Sequence, residues 1–139
     1  MTDEQLRYAI RGAIYKVYKA LGPGLLESAY EAALCRELFL QGFEVETQVS
    51  FSIQYEGLEI PNAYRLDVLI NKRVIIELKS VAKLERVHYK QLRTYLKLTG
   101  IDSGILVNFN TDDIIKSTHT LFANYEDYQE DTLNQLCQE

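Results

Sequence analysis

The chain has 139 residues, 47% of them hydrophobic and 25% charged, with a formal net charge of −5. That is long enough for one domain with a real core, and the balance is ordinary for a soluble globular protein. No apolar run approaches the roughly 18 residues needed to span a membrane.

The first helix is the clearest element. Thr2 followed by Gln5 fits a capping box, and Leu6, Ala9, Ile10, Ala13, Ile14, Val17, Tyr18 and Leu21 keep helical spacing. Gly22-Pro23 stops it. A second helix is expected over residues 25–41, with Gly42 just past its end and Leu26, Ala29, Tyr30, Ala33, Leu34 and Leu38 as the buried stripe. Glu27 falls in its first turn, where a carboxylate suits the helix dipole. Residues 43–55 alternate apolar and polar, with Phe43, Val45, Thr47, Val49, Phe51, Ile53 and Tyr55 on one side, as in a half-buried strand. Glu56-Gly57 marks a turn, 58–60 continues as a strand, and Pro61-Asn62 is expected to interrupt it.

Residues 64–80 then read as two apolar strands around a polar turn at Asn71-Lys72-Arg73. A three-residue turn pairs Ile70 with Val74 and Val68 with Ile76, which sets Asp67 opposite Glu77 and Arg65 opposite Lys79. Leu66, Val68, Ile70, Val74, Ile76 and Leu78 would share the other face. A two-residue turn would separate the two carboxylates instead. Two close carboxylates repel unless a cation lies between them, and oxygen ligands suit Mg²⁺ or Mn²⁺. Lys79 projects to the same side as Glu77. It could hold a water or stabilise developing negative charge, or it could form a structural ion pair with Glu77 or Asp67. The residues alone leave both open.

A third helix is expected over 84–98, closed by Gly100, with Leu84, Val87, Leu92, Tyr95 and Leu96 packing inward. Gln91 and Tyr95 are four apart and lie along one face. His88 and His119 have no partner at metal-ligand spacing and receive no role. Residues 104–109 read as a buried strand and 114–122 as a further strand or edge element; an acidic helix is expected from Asn124. The expected order is α-α-β-β-β-β-α-β plus a tail, an α+β fold with a mixed sheet flanked by helices.

The charge is unevenly spread. All 15 Lys and Arg, with 15 of the 20 acids, precede residue 125, while the last 15 residues carry only acids. A neutral body does not advertise phosphate binding. Locally, however, Lys79, Lys83, Arg86, Lys90, Arg93 and Lys97 meet one acid, Glu85. The two cysteines, Cys35 and Cys137, have no metal-ligand spacing and read as reduced thiols. The first residues lack the basic and apolar regions of a signal peptide. A cytoplasmic protein with no membrane contact is therefore expected.

An early helical glutamate, an aspartate on a strand, Glu77-Leu78-Lys79 on the next, and then a helix together resemble the PD-(D/E)xK nuclease superfamily. Gly24-Leu-Leu-Glu27-Ser-Ala-Tyr30 resembles the signature of its GxxExxY branch, and Gln91-Leu-Arg-Thr-Tyr95 matches the Q-x-x-x-Y element of RecB-like nucleases. The likeness covers roughly residues 5–110. It implies a restriction-endonuclease-like fold over residues 1–124, with 125–139 as an acidic tail. It implies a Mg²⁺ or Mn²⁺ ion bound by Asp67, Glu77 and the carbonyl of Leu78, with Glu27 adding a carboxylate. Lys79 would position or activate the attacking water, so Asp67, Glu77, Lys79 and Glu27 form the catalytic set. Gln91, Tyr95 and Tyr30 would support it. Leu66, where the motif has proline, carries no chemistry.

The expected activity is metal-dependent hydrolysis of nucleic-acid phosphodiesters, with DNA as the expected substrate and Lys83, Arg86, Lys90 and Arg93 receiving the backbone. The alternative is a non-catalytic nucleic-acid-binding or protein-interaction module on the same fold. A nuclease that must cut both strands is often a homodimer, but no residue in the sequence identifies an interface.

Overall fold

The computed structural model describes residues 1–123. The acidic tail and its expected helix lie outside the described residues. Helices α1 (Asp3–Leu21) and α2 (Glu27–Leu40) precede strands β1 (Val45–Tyr55), β2 (Leu58–Ile70) and β3 (Val74–Lys79), and helix α3 (Arg86–Thr99) leads to β4 (Ser103–Asn108) and β5 (Thr118–Phe122). The Thr2–Gln5 capping box starts α1 as expected, and Gly100 ends α3 in the left-handed conformation.

One five-stranded sheet runs in the order β1-β2-β3-β4-β5. Its pairs are antiparallel except β3 with β4, which α3 joins as a parallel crossover. Helices α1 and α2 cover one face, where Leu6, Ile10, Ile14, Tyr30 and Leu34 pack with Val68, Ile76 and Val107. Helix α3 covers the other, where Tyr89, Leu92 and Leu96 pack with Ile75, Leu106 and Leu121. Buried on both faces, β4 reads as a continuous apolar run. A Cβ at Gly104 would come within 2.8 Å of Leu92 Cδ1, so only glycine lets α3 seat this closely on the sheet.

The three-residue turn is present: Val68 pairs with Ile76 and Ile70 with Val74. Other expectations need correction. Pro61-Asn62 does not interrupt the strand; β2 runs through both, and the register with β1 slips between Phe51 and Ile53. Asn62 takes a positive φ of 53°, so the chain absorbs the proline in a bulge. The observed order is therefore α-α-β-β-β-α-β-β, with the 58–60 and 64–70 segments merged and β5 formed from the 114–122 run. Leu66 does not share a face with Val68: it packs under α3, and Val68 under α1 and α2. Gln48 explains the exchange, because its φ of 51° breaks the alternation of β1, sending Val45 to one core and Val49 and Phe51 to the other. Leu26 caps α2 and is exposed, as are Ala29 and Val87; Tyr89 takes the buried place in α3 instead.

Candidate active site

The β2–β3 ladder ends at the Val68–Ile76 pair. One step further, side chains replace backbone partners. The Asp67 N–H donates to Glu77 Oε1 at 3.2 Å, and the Leu78 N–H donates to Asp67 Oδ2 at 3.1 Å. The two carboxylates therefore meet as the pairing register requires. Glu77 is almost fully buried on the α3 side of the sheet. Burial first, and then the charge of Asp67, push its carboxyl up to about 9, while Lys79 pulls the other way. A buried acid beside a second acid lacks a countercharge.

Lys79 is half-buried at the end of β3, and its carbonyl accepts from the Phe109 N–H at 2.9 Å. Among the described residues the ion pairs are Lys16–Glu37, Lys72–Glu46 and Arg73–Asp3, so Lys79 forms no salt bridge with Glu77 or Asp67. Its charge nonetheless lowers the Glu77 carboxyl.

Glu27 opens α2 and is exposed. It lines a cavity of about 130 Å³ with Ser28, Glu31, Gln48, Asp67 and Leu78. The loop before it is pinned twice. The buried Tyr30 hydroxyl donates to the Gly22 carbonyl at 2.5 Å and accepts from the Leu25 N–H at 3.1 Å, and its ring stacks on Phe109 at 4.4 Å. Ser80 Oγ, next to Lys79, donates to the Leu25 carbonyl at 2.6 Å. Tyr30 thus pins the loop that precedes Glu27 from within the core.

Across the sheet, Gln91 stands one turn before Tyr95 on α3, and the Tyr95 hydroxyl is pushed above its ordinary pKa first by burial and then by the charges of Glu77 and Asp67. Tyr95 stacks on Tyr64, which stacks on Phe51, with centroids 5.3 and 5.1 Å apart. Lys83 and Lys90 are exposed, and Arg86 and Arg93 are half-buried. On α3, Arg86, Lys90 and Arg93 follow helical spacing along one stripe.

Four residues near the site carry no role in the sequence reading. Glu31 stands one turn after Glu27 and accepts from Gln48 Nε2 at 2.7 Å; the four-residue spacing was a usable signal. Gln48 holds a left-handed φ inside a strand, which costs on the order of 1–3 kcal/mol and is common beside functional sites. Asn108, buried, accepts from the Val81 N–H at 3.0 Å and donates to its carbonyl at 2.9 Å, fixing the loop after Lys79. His88 accepts from the Glu85 N–H on Nδ1 at 2.8 Å. Its imidazolium is disfavoured first by burial and then by Lys79, with Glu85 and Glu27 opposing.

A sequence model described as the PD-(D/E)XK nuclease superfamily matches residues 4–120. The chain belongs to the PD-(D/E)XK nuclease superfamily. Its fold of three helices around a mixed sheet is the restriction-endonuclease-like one. A solved structure titled "Crystal structure of SSO0001" is similar, with 27% identity and a TM-score of 0.51. The match covers 81% of this chain and 56% of that one. No curated protein matches. Nucleases of this superfamily act on nucleic acid and generally use divalent metal ions. No described helix is long and apolar enough to cross a membrane.

Among the described residues, no group of three or more His, Cys, Asp or Glu side chains is placed to hold a metal ion. The donor chemistry nevertheless fits a hard divalent cation. Glu27, Glu31, Asp67 and Leu78 line one small cavity and offer carboxylate and carbonyl oxygens, while Glu77 lies buried beside it and does not line it.

Proposed function

We propose that this chain is a Mg²⁺- or Mn²⁺-dependent nuclease that hydrolyses phosphodiester bonds of DNA. The observation that carries the reading is the Asp67–Glu77 pair, closed through each other's strand and short of one countercharge. Asp67, Glu77, Glu27 and the Leu78 carbonyl would hold the ion. Glu77 must give up its proton to join them, because only a carboxylate ligates well. The ion, when bound, supplies charge stabilisation at the phosphate and a more acidic water.

The protein's own groups do the rest. Lys79 shares the sheet face of Glu77 and forms no salt bridge among the described residues, so its ammonium is available to a water or to a phosphate oxygen. Tyr95 feels the charges of Glu77 and Asp67, and Gln91, one turn earlier on α3, would orient it. Lys83, Arg86, Lys90 and Arg93 supply the basic approach for the strand's phosphates.

A second reading is a non-catalytic nucleic-acid-binding or protein-interaction module on the same fold. The zero net charge of residues 1–124 and the acidic run that follows favour it, because phosphate binding rests on Lys and Arg. Calorimetric titration with Mn²⁺ separates the two. Saturable binding that Asp67→Ala removes supports the nuclease; no binding by the native chain supports the module.

A further inference from the structure

Strand β3 pairs with β2 only from Val68 onward, so residues 58–65 of β2 and 50–55 of β1 stand as a two-stranded ribbon. Such ribbons are marginal alone in water. The register sets Ile53 opposite Ile60 and Tyr55 opposite Leu58, which puts four apolar side chains on one face. Tyr55 is 65% exposed and Leu58 61%. The other face is polar, with Ser52 hydrogen-bonded to Glu59 at 3.4 Å. From Val49 to Tyr64 the ribbon holds Glu56 and Glu59 and no Lys or Arg. It is unsuited to phosphates and suited to a protein surface.

A second surface, unpartnered among the described residues, lies on α1. A groove of about 450 Å³ is lined by Tyr8, Arg11, Gly12, Ile14, Tyr15 and Ile115, with others. Tyr8 is 75% exposed and Ile115 72%. Gly12 sits mid-helix, where glycine weakens a helix relative to alanine. Beyond its chain neighbours and the backbone of its own helix, no atom of the described residues lies within 4 Å of where its Cβ would stand, so tertiary packing among them does not require glycine there. Close approach by another body would require it. Arg11 is the charged residue of the groove, and its bond to Thr120 is long at 3.4 Å.

We propose that the β1–β2 ribbon of one copy docks its Ile53–Tyr55–Leu58–Ile60 face in the α1 groove of a second copy, with Glu56 meeting Arg11. One surface projects and carries Glu56 and Glu59; the other is recessed and carries Arg11. Two copies cover both at once, and reciprocal exchange closes as a dimer. The docking does not depend on the nuclease chemistry.

The test is the mass of the full chain in solution, measured by light scattering at micromolar concentration. The expected mass is that of two chains. Tyr55→Ser with Leu58→Ser, and separately Gly12→Leu, should return the single-chain mass with an intact far-ultraviolet spectrum. Arg11→Glu and Glu56→Arg should each weaken association at least tenfold, and the two together should restore it. A native chain that stays single overturns the proposal, as it would if another part of the chain filled the groove. So does association that survives Gly12→Leu in folded protein, or charge reversal without rescue.

Discussion

Asp67 and Glu77 take over where the β2–β3 ladder stops. The N–H of Asp67 bonds a Glu77 oxygen at 3.2 Å, and an Asp67 oxygen receives the next N–H of β3 at 3.1 Å. The backbone is thus locked around two acids that repel each other. The fold relieves that repulsion by keeping the Glu77 carboxyl protonated up to about 9, and a bound cation would take that proton's place.

The metal-free protein should lose stability as pH rises. The Glu77 carboxyl is raised from an ordinary 4.5 to about 9, so between those values the folded chain holds a proton that the unfolded chain releases. Stability therefore falls with pH across that window. Glu77→Gln should melt higher than the native chain at pH 8 without metal and should flatten the pH dependence. A lower melting temperature for Glu77→Gln would mean the pair is a structural network.

His88 should give the opposite slope. Its imidazolium is disfavoured in the fold, and Nδ1 must stay unprotonated to accept the Glu85 N–H. Below its ordinary value of 6.5 the unfolded chain takes up protons more readily, so acid should loosen the start of α3. Amide exchange of the Glu85 N–H should accelerate as pH falls towards 5, after correction for intrinsic rates. His88→Asn can still accept from that N–H and should lose the acid effect.

Tyr30→Phe should weaken both fold and activity. The change strands the Leu25 N–H and the Gly22 carbonyl in a part-buried place. The cost should be about 1–3 kcal/mol in denaturant unfolding. Cleavage should fall as well, because the loop that presents Glu27 loses its pin, and high metal concentration should recover part of it.

Much of this was legible in the chain. The three-residue turn followed from asking that Asp67 and Glu77 share a face, and the Val68–Ile76 and Ile70–Val74 pairs carry it. The Thr2 capping box and Gly100 marked helix ends by local chemistry. What failed was long-range. Nothing near Leu66 announces that the strand exchanges faces, because the cause is a left-handed Gln48 on the neighbouring strand. Pro61 reads as a break until the slipped register shows a bulge that accommodates it. Glu31 was within reach of a four-residue count from Glu27. Ser80 and Asn108 were not, since their work is to hydrogen-bond loops far away in sequence.

Nucleic-acid binding should be salt-dependent through named side chains. Lys83 and Lys90 are exposed beside the site. If each meets one phosphate, Lys83→Ala and Lys90→Ala should each reduce the slope of log affinity against log salt by about 0.9 on duplex. Fluorescence anisotropy with labelled duplex reads this directly.

The most direct test is cleavage of labelled single-stranded, duplex and branched DNA and of RNA with Mn²⁺, beside Lys79→Ala. The native chain should cut a DNA substrate, and the variant should be slower by about 10²–10³, the scale of losing one preorganised charge-stabilising group. Equal cleavage by Lys79→Ala, or none by the native chain on any substrate, would contradict a nuclease centred on Asp67, Glu77 and Lys79.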